Sequence, residues 1–355
     1  MHSLIHGGDV YTLQGQDGTL LDFSANINPL GIPPAVEAAA AASLRDCARY
    51  PDPLCRELRA ALAEKEGVPQ EWILCGCGAA ELIFRWAAAL KPRAVLLPVP
   101  AFAEYERALE TVGCAPRFFP LPEEEGFRLP DAFEEALAQD LDAVILTNPH
   151  NPTGLLLPPE RLRRLLFLCR ERGIRVLLDE CFLDFTDAPE AATMRPLLGE
   201  IPGLFLLKAF TKLYAMAGLR LGYGLCADAA LLEGMTACGQ PWSVSIPAQA
   251  AGIQALRETA YVERTRALIR RERAFLWAGL ERAGAKVLGG EANFLFFRCS
   301  GREDLTRRLE EKGILLRACG NFRGLSKEYY RTAVRTREEN RILLEAVEDS
   351  LRGMK

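Results

Sequence analysis

Short apolar runs recur along this 355-residue chain, and polar or small residues follow each of them. The clearest are Ala94–Leu97, Ala143–Leu146, Arg175–Leu178, Leu204–Leu207 and Leu219–Leu225, which read as strands. Amphipathic helical stretches such as Ala79–Leu90, Pro159–Arg172 and Ala230–Thr236 lie near or between them. That alternation predicts an α/β fold built on a mostly parallel sheet. A long charged helix, about Glu258–Ala283, opens a different pattern. Beyond it Ala292–Arg298 and Tyr330–Val334 read as strands, with Arg302–Lys312 and Glu338–Leu351 as helices. The expected organisation is a large domain over residues 31–257 and a smaller α+β domain over 258–355. Residues 1–30 are expected to pack back upon the small domain.

Size and charge narrow the function. The length exceeds what one small core needs and suits a large domain with a companion. A net charge of −4 gives no reason to expect nucleic acid or a membrane surface as partner. No apolar run approaches the ~18 residues of a membrane span. The first residues, MHSLIHGGD, lack a basic start and an apolar core of the secretory kind. Eleven cysteines without a disulfide-framework spacing read as reduced thiols, so a cytoplasmic protein is expected. Cys75 and Cys77 form a C-x-C with no second pair at zinc-like spacing, and no metal site is expected.

The polar residues of interest follow strands rather than interrupting them. Asn148 and Asn151 come after AVILT, Asp179 after RVLL, and Lys212 after LFLLK. In open α/β sheets, ligands bind outside the carboxyl ends of the strands. A site at that edge is therefore expected from topology alone. Lysine and aspartate at the ends of buried strands also need partners, because a charge out of water is costly.

Within residues 204–224, LFLLKAFTKLYAMAGLRLGYG, the pair Thr211-Lys212 is followed at a fixed interval by Gly218-Leu219-Arg220. This segment resembles the lysine segment of fold-type I pyridoxal-phosphate enzymes. The run Asn148-Pro149-His150-Asn151-Pro152-Thr153-Gly154 resembles the N-P-x-N-P-T-G signature of the class I and II aminotransferases. The likeness covers nearly the whole chain and implies pyridoxal 5'-phosphate as cofactor. It makes Lys212 the lysine that bonds the cofactor aldehyde. Lys208, in Lys208-Ala209-Phe210, is a rival, but only Lys212 lies six residues before Gly218. Asp179 becomes the carboxylate against the pyridine nitrogen, with neighbouring Glu180 structural. Cys75-Gly76-Cys77-Gly78-Ala79-Ala80-Glu81 opens a helix with small residues, and exposed amides there suit an anion. Gly78, Ala79, Thr211 and Arg220 are thus expected around the cofactor phosphate. Phe102 is expected to stack on the cofactor ring, and Asn151 to bond its 3-oxygen. Tyr50, in Arg49-Tyr50-Pro51, resembles a tyrosine that reaches across a homodimer interface to that phosphate.

Two subfamilies compete, and both act on phosphorylated amines. His6-Gly7-Gly8 followed by Asp22-Phe23-Ser24-Ala25-Asn26-Ile27-Asn28-Pro29-Leu30-Gly31 resembles threonine-phosphate decarboxylases of cobalamin synthesis. Phe182, in Asp179-Glu180-Cys181-Phe182, and Asn321-Phe322-Arg323-Gly324-Leu325 point the same way. Histidinol-phosphate aminotransferases are the alternative, and a cofactor-binding sensor without catalysis is a remote third. Cys77, where asparagine is usual, and Lys327-Glu328-Tyr329 depart from the decarboxylase pattern. The resemblance assigns the substrate carboxylate to Arg331 and the substrate phosphate to Arg323 and His6-Gly7. Asn28 stands nearby, Arg317 supports, and Asn151 faces both cofactor and substrate. The expected partner is a small phosphorylated amino acid.

Overall fold

The computed structural model describes residues 6–11, 20–138 and 140–352. Its first strand is the two-residue Leu21–Asp22 (β1). Seven strands then build the main sheet: Ile73–Gly76 (β2), Val95–Val99 (β3), Arg117–Pro120 (β4), Ala143–Thr147 (β5), Arg175–Asp179 (β6), Leu204–Ala209 (β7) and Gly222–Leu225 (β8). The remaining strands are Lys286–Gly289 (β9), Phe294–Arg298 (β10), Ile314–Leu315 (β11), Arg317–Ala318 (β12) and Tyr329–Ala333 (β13).

The main sheet runs β2-β8-β7-β6-β5-β3-β4, and only β8 is antiparallel to its neighbours. Its central strands β3, β5, β6 and β7 are buried almost throughout, as expected where helices cover both faces. From β3 the chain moves outward to β4 and then crosses back to β5 on the other side. That reversal opens a crevice beyond the carboxyl ends of β3 and β5. Phe102 lies three residues past β3, and Asn148 follows β5 at once.

Two departures from the sequence reading have local causes. The run Leu219–Leu225 is strand only from Gly222, because a 3-10 turn occupies Ala217–Leu219 and Arg220 takes a left-handed φ of 59°. Lys212 does not end β7; it lies in a one-turn helix, Phe210–Leu213, that caps the strand. Strands β2 and β4 gave no strong signal, since β2 is short and closes on glycine while half-exposed β4 ends in proline.

The 24-residue helix Thr259–Arg282 buries Tyr261, Thr265, Ile269, Glu272, Leu276 and Leu280, a stripe at spacings of four and three. It leads to the second sheet, β12-β13-β10-β9. The N-terminal stretch is sewn to this part: β1 pairs parallel with β11, and the Ala333 amide donates to the Phe23 carbonyl at 2.9 Å. Five residues on, the chain turns to the lysine segment, where the Asn28 amide donates to the Lys212 carbonyl at 3.1 Å. Residues 21–28 thus bridge the second sheet and the end of β7. No helix among the described residues is long and apolar enough to cross a membrane.

Candidate active site

A cavity of about 230 Å³ opens at the crevice, lined by residues from many separate stretches of chain. From the large sheet come Ala79, Phe102, Asn151, Thr211, Lys212 and Arg220; from elsewhere come His6, Gly7, Asn26, Arg317 and Arg331. A larger hollow of about 650 Å³ lies beside Cys55 and Val244, but its Arg85 is already paired with Glu81 and with Ser243 at 3.0 Å. The reactive groups are in the smaller cavity.

Lys212 is half-buried, and no ion pair joins its Nζ among the described residues. Burial, with the positive charges of Arg331 and Arg220 nearby, pushes its amine down to about 8. A neutral, nucleophilic amine is therefore accessible near neutral pH. Lys208 has the opposite surroundings. It lies in a separate cavity, 3.5 Å from the Glu66 carboxylate and 3.8 Å from that of Asp184. Burial opposes its charge, yet Asp184, Glu66 and Glu180 hold it protonated above the usual lysine value. The rival lysine is a structural cation, and Glu180 is likewise committed, accepting from Thr193 Oγ1 at 2.7 Å and the Met194 amide at 2.8 Å.

Asp179 ends β6 and is buried. Tyr105 donates to its Oδ2 at 2.6 Å and the Cys181 amide to its Oδ1 at 2.8 Å. Burial nevertheless leaves its carboxyl raised above the ordinary value, and no ion pair joins it among the described residues. A protonated ring nitrogen is the kind of partner this carboxylate needs. Tyr105, on the helix Ala103–Glu110, was not foreseen; the only sequence signal is its place three residues after Phe102. Its ring meets that of Phe102 edge-on at 5.7 Å, and the His6 ring lies tilted against Phe102 at 5.4 Å.

The anion cradle is built by close approach. Gly78, with φ of 83°, precedes the helix Ala79–Leu90, and a Cβ there would stand 2.6 Å from Arg220 Nη2. The free amides at this helix start and the Arg220 guanidinium converge from two elements. The left-handed Arg220 is exposed and donates to the Ala217 carbonyl at 3.1 Å. These groups fit a phosphate, and with Lys212 and Asp179 they fit pyridoxal phosphate.

A second set of cations faces the first. Arg331, on β13, donates to Asn151 Oδ1 at 2.6 Å and to the Ser24 carbonyl at 3.3 Å. Its Nε is buried without a partner, and burial pushes the guanidinium down to about 10. Arg317 stacks over Phe322 at 5.1 Å and donates to Asn321 Oδ1 at 2.8 Å. Gly7 crosses Ser24 so closely that a Cβ would meet its carbonyl oxygen at 2.3 Å, which brings His6 to the cavity.

Two expectations change. Asn28 does not line the cavity: its Nδ2 donates to the Leu213 carbonyl and to Thr265 Oγ1, each at 2.7 Å, so it braces the lysine segment. Asn26, two residues earlier, lines the cavity with both amide atoms buried and unpartnered. The shared N-x-N wording hid which asparagine turns inward. Arg323 lies in an adjoining recess, paired with Glu106 at 2.7 Å, while Arg317 lines the cavity itself. Tyr50, expected to serve a second copy, lies outside the cavity of its own chain, 76% exposed and stacked on Trp242 at 4.6 Å.

Fold and site together define a pyridoxal-phosphate enzyme of fold-type I. The family model for aminotransferase class I and II matches residues 18–347, and the chain belongs to that family. It is 42% identical to a threonine-phosphate decarboxylase from Salmonella typhimurium, over 98% of this chain and 97% of that protein. It is 35% identical to a histidinol-phosphate aminotransferase from Symbiobacterium thermophilum, over 99% and 96%. The solved histidinol-phosphate aminotransferase from Clostridium acetobutylicum superposes with a TM-score of 0.88 at 30% identity, covering 94% of this chain and all of that one.

Proposed function

We propose that this enzyme decarboxylates L-threonine O-3-phosphate to (R)-1-amino-2-propanol O-2-phosphate, a step of cobalamin biosynthesis. The observation that carries the reading is the second cation set, Arg331 and Arg317 with His6 and Asn26, in the cavity that holds Lys212. Two separated arginines suit a substrate with two anionic groups, a carboxylate and a phosphate.

Lys212, Asp179, Gly78, Ala79, Thr211 and Arg220 would hold the cofactor, with Phe102 against its ring and Asn151 at its 3-oxygen. Bound pyridoxal phosphate supplies an electron sink for the pair left when a bond at the substrate α-carbon breaks. Arg331, fixed by Asn151 and the Ser24 carbonyl, holds the carboxylate so that its bond to the α-carbon is the one aligned for cleavage. Arg317, His6 and Asn26 fix the phosphate at the other end and stop rotation about that carbon. Phe182, on the cavity wall and backed by Phe294 in edge contact at 5.1 Å, gives an apolar surface that disfavours water. The Lys212 amine then returns a proton to the α-carbon after carbon dioxide leaves.

The histidinol-phosphate aminotransferase reading is favoured by the structural likeness quoted above, and by the fact that a modest change of pose would expose the α-hydrogen instead. A pose preference of about 1–2 kcal/mol, near tenfold in rate, would be enough to switch the outcome. Carbon dioxide released from threonine phosphate without a 2-oxo acid supports the proposal; turnover only of histidinol phosphate with 2-oxoglutarate reverses it.

The same reading makes the protein a cytoplasmic homodimer, in which Tyr50 contacts the cofactor phosphate of the second copy. The exposed Tyr50–Trp242 stack and nearby exposed Leu44 and Leu54 support a covered face there. A monomer by sedimentation with full activity would defeat this part.

A further inference from the structure

Beyond the cavity lies a recess of about 210 Å³ that shares His6, Phe102, Arg317 and Phe322 with it. Its far end is closed by Arg323, whose guanidinium lies over the Phe118 ring at 3.9 Å and pairs with Glu106 at 2.7 Å. His6 is paired too, with Glu104 at 2.6 Å, and Glu104 also accepts from Arg107 at 2.7 Å. One helix, Ala103–Glu110, therefore sets a carboxylate against each of two side chains, His6 and Arg323, bordering the place where a phosphate is expected.

The two carboxylates are not equivalent. Glu104 is 10% exposed and held by both His6 and Arg107. Glu106 and Arg323 are 31% and 51% exposed, and their pair is a single contact between residues 217 positions apart. A half-exposed ion pair of that kind is weak, whereas a guanidinium on a phosphate dianion makes stronger, two-pronged bonds. Phe118 keeps the guanidinium plane in place whichever anion it meets.

Resting on the proposed phosphorylated substrate, we propose that Glu106 is an exchangeable counter-anion that sets affinity for the phosphate group. In the empty site it holds Arg323 at the end of the recess. The incoming phosphate takes its place on Arg323 and is gripped between Arg323 and Arg317. Glu106 thereby weakens phosphate binding and favours release of the phosphorylated product.

The test uses the cofactor-loaded enzyme, with inorganic phosphate as calorimetric probe and threonine phosphate as substrate. Glu106→Gln is expected to tighten phosphate binding and lower KM by about two- to fivefold. Arg323→Ala is expected to weaken both, and Glu106→Gln added to Arg323→Ala is expected to gain nothing. Unchanged or weaker phosphate binding in Glu106→Gln overturns the inference, as does a gain that persists without Arg323. Failure of the wild-type enzyme to release carbon dioxide strikes the proposed reaction instead, and the phosphate titration still decides the role of Glu106.

Discussion

At the scale of single residues, the environment of a side chain outweighs its type. Lys208 and Lys212 are four positions apart, yet three carboxylates hold one charged while burial, aided by two guanidinium groups, presses the other toward neutrality. Competitive labelling of the cofactor-free protein with an amine reagent, read by mass spectrometry, is expected to show Lys212 half-reactive at about pH 8. Because its value is lowered, reactivity appears as pH rises through 8 and is absent well below it. A midpoint near an ordinary lysine's ~10.4 would contradict the geometry. The asparagines make a second contrast. Asn28→Ala strands the Leu213 carbonyl and Thr265 hydroxyl and is expected to cost about 1–3 kcal/mol in urea unfolding. Asn26→Ala breaks no internal bond and should change stability by less than about 1 kcal/mol. It should instead raise KM for threonine phosphate about tenfold, since a hydrogen bond to a charged group is lost.

Elements act by bringing such residues to one edge. The helix Ala103–Glu110 supplies Tyr105 to a carboxylate at the end of β6, 74 residues away. Tyr105→Phe keeps the ring but removes that donor. It is expected to cost about 1–2 kcal/mol of stability and to loosen cofactor retention, followed by absorbance during dialysis. Strand β7 shows the same principle on its other side. Lys208→Met removes the cation set among Glu66, Asp184 and Glu180, though Arg195 remains on Glu66, and an expected loss of about 3 kcal/mol follows. The cofactor's absorbance, which depends on Lys212, should survive in the folded variant; its disappearance would return the covalent role to Lys208. Strands β3, β5, β6 and β7 were legible because continuous apolar runs bounded by polar residues admit few other readings. Strand β4 was not, because an edge strand lacks that signature, and the helical placement of Lys212 depends on backbone bonding that no apolar pattern encodes.

At the scale of the molecule, the two sheets share one apolar core, in which Phe127 meets Phe296 and Tyr329 edge-on, and charged contacts add to it. Glu123, just past β4, pairs with Lys286 at 2.7 Å and Arg298 at 2.9 Å and accepts from the Tyr329 hydroxyl. Burial would raise its carboxyl, but these three partners overcome it and hold it at about 2. The unfolded chain's glutamate sits near ~4.3, so the contribution is complete above that pH and vanishes as pH falls through 2. Glu123→Gln is expected to lose about 2 kcal/mol at pH 7 in urea unfolding, and the gap to the wild-type protein should close toward pH 2. A gap that is constant with pH would assign the loss to packing.

What the sequence by itself determined is the alternation of strands and helices and the edge at which polar residues gather; its resemblance to a known family then pointed to Lys212, Asp179 and Arg220. The first two follow from local periodicity, which a linear chain carries. Only the tertiary structure decided that Asn26 rather than Asn28 turns into the cavity, that Arg317 rather than Arg323 lines it, and that Tyr105 supports Asp179. Each of these depends on which surfaces meet across tens to hundreds of residues. Residue types of equal chemistry at neighbouring positions do not reveal that choice until the chain has folded.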